Sequence, residues 1–170
     1  MKSLFNFCMK ATHRWVAFKR WVAFTGLLFT TSVLSYGNYT DNNDGSITDN
    51  ITGLIWQKCS MGQSGTDCSG DAATAATWTA AISYCEGLTL SGRSDWRLPN
   101  INELESLVDD SIYNPSINTT YFPGTVSSYY WSASTYVCNT NSAWNVGFNN
   151  GYVNSSAKAN NYYVRCLSGP

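Results

Sequence analysis

The run Asp95-Trp96-Arg97-Leu98-Pro99-Asn100 followed by Ile101-Asn102-Glu103-Leu104-Glu105-Ser106-Leu107 constrains this chain more than any other stretch. Trp96 and Leu98 alternate with polar neighbours, the pattern of a short buried strand. Pro99 ends that strand because it brings no N–H to a ladder and fixes its own φ. Asn100 and Glu103 then stand at the spacing of a capping box, so a helix is expected from Ile101 to about Val108, stopping at Asp109-Asp110. A strand that turns at once into a capped helix must place both on one core.

The remaining elements read outward from that corner. Asn38 to Lys58 is expected to form a hairpin, with Ser46-Ile47-Thr48 and Leu54-Ile55-Trp56-Gln57 flanking the turn Asp49–Gly53. Asn42-Asn43-Asp44-Gly45 makes a second turn. It is a poor calcium loop, because with Gly45 at position six the first and twelfth positions fall on Thr40 and Ile51. A polar loop covers Cys59–Ala73. Trp78, Ala81, Ile82 and Cys85 share a face at helical spacing, so a helix is expected over Trp78–Glu86, with Thr77 as its cap and Gly87 as its end. Ser111–Ser128 shows no period, and Asn114-Pro115 and Phe122-Pro123-Gly124 mark turns in it. Strands are then expected over Tyr129–Thr135, Ala143–Phe148, Tyr152–Asn154 and Tyr162–Leu167. Two helices between a leading hairpin and a trailing antiparallel β-meander give an α+β class.

The first 36 residues read differently. Lys2, Lys10, Arg14, Lys19 and Arg20 precede the uncharged stretch Trp21–Leu34, too short for a span of roughly twenty residues. An export signal over residues 1–36 is expected, cut after Ser35 or Gly37, or else retained as an N-terminal anchor. After residue 37, eleven acids face five bases (Lys58, Arg93, Arg97, Lys158 and Arg165), a net charge of −6. That balance leaves no broad basic face for nucleic acid or an anionic membrane. About 130 residues suffice for one domain with its own core.

Five of the six cysteines, Cys59, Cys68, Cys85, Cys138 and Cys166, follow the leader, and an exported domain should oxidise them. Cys59 and Cys68 bracket a short loop and are natural partners. Cys85 could reach Cys166, and Cys138 is left odd, as a free thiol or an intermolecular link. Spacing alone does not fix the connectivity.

These motifs resemble, in order, the Lcl C-terminal domain family (the DUF1566 type), found at the end of a collagen-like bacterial adhesin. The resemblance rests on Asp44-Gly45-Ser46-Ile47-Thr48-Asp49, Thr52-Gly53-Leu54-Ile55-Trp56-Gln57, Asp95-Trp96-Arg97-Leu98-Pro99, Tyr130-Trp131-Ser132-Ala133-Ser134 and Tyr163-Val164-Arg165-Cys166. It implies a single domain over residues 38–170. More distantly the order is similar to C-type-lectin-like folds, including the formylglycine-generating enzymes, and this implies a disulfide-tied scaffold with Cys85 joined to Cys166. The chain departs from those relatives by lacking a Gly-X-Y stalk, the Glu-Pro-Asn and Trp-Asn-Asp sugar-binding elements, and the cations that a sulfated polysaccharide would need.

The only histidine, His13, lies in the leader, so the mature chain has no imidazole for a Ser-His-Asp site or a metal. No C-x-x-C pair suggests zinc. No cofactor and no metal are expected. Asp95, Asp109 and Asp110 are the carboxylates available for glycoside hydrolysis, but solvated helix ends and turns explain them better, so no enzyme is expected. Arg97 and Arg165 are expected to satisfy internal carboxylates or carbonyls. The segment Tyr136–Asn161 combines Tyr, Asn and Ser in the manner of binding loops. Tyr136, Asn139, Asn141, Asn149, Asn150, Tyr152, Lys158 and Asn160 are therefore the candidate ligand-binding residues.

The leading expectation is an exported, non-enzymatic, lectin-like domain that binds a glycan or cell-surface polymer. The alternatives are a protein-interaction or assembly subunit of an envelope complex, linked through Cys138 and able to oligomerise, and a small carboxylate-based glycan-active enzyme.

Overall fold

The computed structural model describes residues 37–169, so the leader and its cleavage site lie outside the described residues. Seven strands and two helices follow in the order β1 (Tyr39–Asp41), β2 (Ser46–Asp49), β3 (Ile55–Gln57), α1 (Trp78–Glu86), α2 (Ile101–Glu105), β4 (Tyr129–Thr135), β5 (Ser142–Gly147), β6 (Tyr152–Ala157) and β7 (Leu167–Ser168). They form two antiparallel sheets, one ordered β1-β2-β3-β7 and the other β4-β5-β6. The class is α+β, mostly β, and tied by disulfides.

Successive side chains of a strand point to opposite faces, and β4 uses this to serve two cores. Tyr130 packs with Ile47, Trp56, Leu104, Phe122 and Val146, while Trp131 packs with Ala81, Cys85, Trp96, Leu98 and Val164. The Asp95–Asn100 corner joins the two. Arg97 exchanges backbone hydrogen bonds with Leu167 (2.8 and 2.9 Å), and the Ala133 N–H donates to Pro99 O at 2.7 Å.

The capping box forms as the sequence predicts. Glu103 N–H donates to the Asn100 side chain at 2.9 Å, and Asn100 N–H donates to Glu103 Oε2 at 2.7 Å. The helix is shorter than expected, ending at Glu105. Leu107 and Val108 donate to Leu104 O and Glu105 O, three residues back, and the Ser106 hydroxyl takes Glu103 O. The chain thereby tightens out of the α geometry while still burying Leu107 and Val108. At α1, Thr77 holds the cap position without a side-chain cap bond, and the Trp78 N–H is instead received by Lys158 O at 3.0 Å.

The closing segment corrects a sequence expectation. Tyr162–Leu167 is not one strand. Its backbone pairs in turn with Ala76, Tyr129 and Trp131, Met61, Gln57 and Arg97, and only Leu167–Ser168 lies in a sheet. It crosses from β4, met at Tyr129 and Trp131, to β3, met at Gln57, with irregular connections at Ala76, Met61 and Arg97, so each peptide group finds a different partner. The segment thus laces the two sheets together. Cys85 of α1 is bonded to Cys166 within it, a bridge spanning 81 residues, and Cys59 is bonded to Cys68. In the chain-entropy picture the long bridge contributes about 4–5 kcal/mol. Cys138 is engaged rather than free, which corrects the expectation of a spare thiol.

Candidate functional site

The eight candidate residues do not converge. They divide between the two ends of the β4-β5-β6 sheet, and β5 between them spans six residues, about 17 Å. Tyr136, Asn139, Asn141, Lys158 and Asn160 lie at one end, and Asn149, Asn150 and Tyr152 at the other.

The first end is closed on itself. Asn139 organises the β4–β5 turn, its N–H donating to Tyr136 O and its side-chain oxygen accepting from Asn141 N–H at 3.1 Å. Asn141 O accepts from Lys158 N–H at 2.9 Å. The Lys158 ammonium donates to Thr135 Oγ1 at 2.9 Å and sits 3.8 Å from the centre of the Trp78 ring. Trp78 in turn donates its indole N–H to Ser132 O at 2.8 Å. Tyr136 packs edge-on against Trp144, with ring centres 4.9 Å apart. Asn160 donates to the Tyr162 hydroxyl at 3.3 Å, and that hydroxyl donates to Ser156. A lysine over an indole and a tyrosine edge-on against Trp144 engage the rings here, while Val137, 82% exposed, and Asn139, Asn141 and Asn160 face solvent. Asn145, in the same Asn-rich segment, is wholly buried in the middle of β5, and its amide has no partner.

The second end is open. Asn150 receives the Tyr152 N–H at 3.1 Å, and Gly151 N–H donates to Gly147 O at 2.7 Å, forming the β5–β6 turn. Gly151 has φ +76°, and a Cβ there would stand 2.7 Å from Val108 Cγ1 and 3.7 Å from Ser116 Cβ. Only glycine lets this turn settle onto the 108–116 loop. Ser116 N–H donates to Phe148 O at 2.6 Å, and Asp109 N–H to Ser116 O, so turn and loop form one surface. That loop carries Tyr113, 82% exposed, and Ile112, 41% exposed, and the turn carries Tyr152, 55% exposed. The Asn149 side-chain oxygen is buried and has no partner, so within this turn it is Asn150 that faces solvent.

Tyr113 and Ile112 are the residues the sequence reading missed. Their only signal is an apolar pair set between Asp109-Asp110-Ser111 and Asn114-Pro115, with no periodic partner to bury it.

The carboxylates are mostly occupied locally. Asp95 accepts from Ser168 Oγ at 2.9 Å, and Asp109 accepts from Ser111 N–H and Oγ. Both guanidinium ends of Arg97 reach Glu103, at 2.8 and 2.7 Å. That hydrogen-bonded pairing holds the Glu103 carboxyl below the usual range, against the opposing effect of burial. Among the described residues no group of three or more His, Cys, Asp or Glu is placed to hold a metal.

Arg165 departs from expectation. Arg97 has its carboxylate, but among the described residues no ion pair reaches Arg165, which is wholly buried. Its Nη2 donates to Thr125 Oγ1 at 2.9 Å and Ser60 Oγ at 3.3 Å, while Nε and Nη1 have no acceptor. The Phe122 and Tyr130 rings lie 4.8 and 5.8 Å from Cζ. Burial lowers the pKa of the guanidinium, yet an arginine keeps its proton in proteins. Tyr39, packed edge-on against Phe122, is pushed up to about 12, chiefly by burial, and so carries no charge near neutrality.

A family model described as the Lcl C-terminal domain matches residues 45–168. No curated protein matches the chain.

Proposed function

Because the chain belongs to the Lcl C-terminal domain family, we propose that it is an exported, non-enzymatic recognition domain that binds a glycan or cell-surface polymer at the open end of the β4-β5-β6 sheet. One observation carries the reading. Two exposed tyrosines, Tyr113 and Tyr152, stand on a loop and a turn that are packed together, with the exposed Asn150 in the same turn. A tyrosine ring offers a flat apolar face with a polar tip, suited to the C–H face of a sugar, and amides match its hydroxyls. The net charge of −6 after residue 37 favours neutral over sulfated sugars.

The reading takes the scaffold as C-type-lectin-like, supported by the α1-to-closing-segment disulfide and by the way that segment joins two sheets. Export is supported by the two disulfides. Among the described residues no helix is long and apolar enough to cross a membrane.

The test is a glycan array with polysaccharide pull-down, run with and without calcium. Binding that is lost in Tyr113→Ala, Tyr152→Ala and Asn150→Ala supports the proposal. Absence of binding, or binding that those changes leave intact, rejects it. Ile112 beside Tyr113 also suits an apolar contact with an envelope protein, and capture of such a partner by an array-negative protein favours that second reading.

A further inference from the structure

Directly opposed residues of an antiparallel pair put their side chains on one face. Tyr129, Gly147 and Tyr152 therefore form one row across β4-β5-β6, Trp131, Asn145 and Asn154 the next, and Ala143 and Ser156 stand beyond them. Tyr162 lies over this face. Its ring centre is 5.1 Å from that of Tyr129 and 4.6 Å from that of Trp131, and its hydroxyl donates to Ser156 Oγ at 3.0 Å, so the side chain reaches from β4 to β6. Trp131, Ala143 and Asn145 are wholly buried there. Along β6 the same face stays open, with Tyr152 55% exposed and Asn154, Ser156 and Tyr162 each partly exposed.

We infer that this open margin is an extended subsite for an uncharged oligosaccharide, which runs along β6 from the Tyr152 ring past Asn154 to Ser156 and Tyr162. The inference rests on the glycan reading above and specifies its ligand, a chain of two or more sugars rather than a single terminal one. From Tyr152 to Ser156 the strand advances about 14 Å, longer than one pyranose ring. A tyrosine stands at each end of that stretch, with polar groups between. Asn154 donates to Tyr152 O at 3.3 Å, which lays its amide along the strand and leaves its side-chain oxygen as an acceptor. Ser156 receives the Tyr162 proton and so keeps its own for a ligand oxygen. A Cβ at Gly147 would stand 3.1 Å from Tyr129 Cε1, so that ring leans inward over β5 and Tyr152 is the outer platform. Tyr152, Asn154, Ser156 and Tyr162 carry no charge in a chain of net −6 after residue 37, so the strip offers no counter-charge to a sulfated or a cationic polymer. Rings alternating with an amide and a hydroxyl match the C–H faces and hydroxyl rims of a neutral sugar chain, where the centre of a protein interface would be more apolar.

Calorimetric titration of the full chain with cello-, N-acetylchito- and manno-oligosaccharides of one to six units tests this directly. In a series that binds, affinity should rise about tenfold or more from one unit to three and then level off. Asn154→Ala, and Tyr162→Phe, which keeps the ring against Trp131, should each remove most of that rise and leave the binding of a single unit unchanged. Tyr152→Ala should weaken every length. A single unit that binds as tightly as the longest, a rise that survives in either of the first two variants, or tighter binding of a sulfated series would overturn the extended subsite and leave the recognition reading standing. No binding by any of the three series also overturns the subsite, and the glycan array then decides the recognition reading by itself. Binding of every length that is indifferent to Tyr152→Ala would reject both.

Discussion

The two ends of the β4-β5-β6 sheet are built from the same short list of residue types and do opposite things. At the closed end the Tyr136 ring packs on Trp144, Lys158 binds Thr135 and covers Trp78, and Asn160 reaches Tyr162, while Asn139 serves its own turn. At the open end Asn150 serves only its own turn, and Tyr152 and Tyr113 project into water. A composition rich in Tyr, Asn and Ser therefore marks where a binding surface can be built. Which part binds depends on what the fold has already consumed.

The largest expected effect falls beneath the closed end. Replacing Cys85 and Cys166 together with serine should cost about 4–5 kcal/mol in urea unfolding, because the bridge fixes α1, whose Trp78 seats Lys158. A loss under about 1 kcal/mol would mean that the backbone lacing holds the closing segment without its staple.

Gly151→Ala strikes the open end. The positive φ and the approach to Val108 should together cost about 1–3 kcal/mol. Ligand binding should weaken with it, since the turn would lift from the Tyr113 loop. Retained binding with lowered stability would show that the turn and loop need not be joined.

Lys158→Ala should lose about 1–2 kcal/mol from one hydrogen bond and the contact over Trp78. Binding should be unaltered, and a binding loss here would erase the distinction between the ends.

The corner shared by both cores supplies a smaller, pH-dependent effect. Glu103 has a lowered folded-state pKa, so its pairing with Arg97 contributes fully above the unfolded carboxylate value and is lost as pH falls through the folded one. Being partly exposed, the pair should contribute under about 1 kcal/mol. Unfolding measured from pH 6 down to 3 should show this loss in the native chain and not in Glu103→Gln.

Much of the scaffold was legible because it is local. The Asn100–Glu103 box, the α1 face with Cys85, and the extent of β4 all follow from spacings within one turn or strand. The closing segment departs from expectation because Tyr162–Leu167 has the composition of a strand but meets β4 only at Tyr163 and β3 only at its end. Arg165 was misassigned because sequence shows that a cation sits among buried positions and cannot show that hydroxyls surround it. At the binding surface, Tyr152 and Asn150 could be named from their turn. Tyr113 could not, because its position depends on a glycine 38 positions later meeting Val108. The other five candidates were indistinguishable from binding residues until their internal partners were seen.

The comparison between the ends is tested most directly by one binding series on a responsive glycan. Tyr113→Ala and Tyr152→Ala change exposed side chains and should leave stability within about 0.5 kcal/mol. Each should weaken binding about tenfold or more, while Tyr136→Ala and Asn160→Ala bind as the native chain does. Loss of binding in the Tyr136 and Asn160 variants, with the Tyr113 and Tyr152 variants unaffected, would contradict the account.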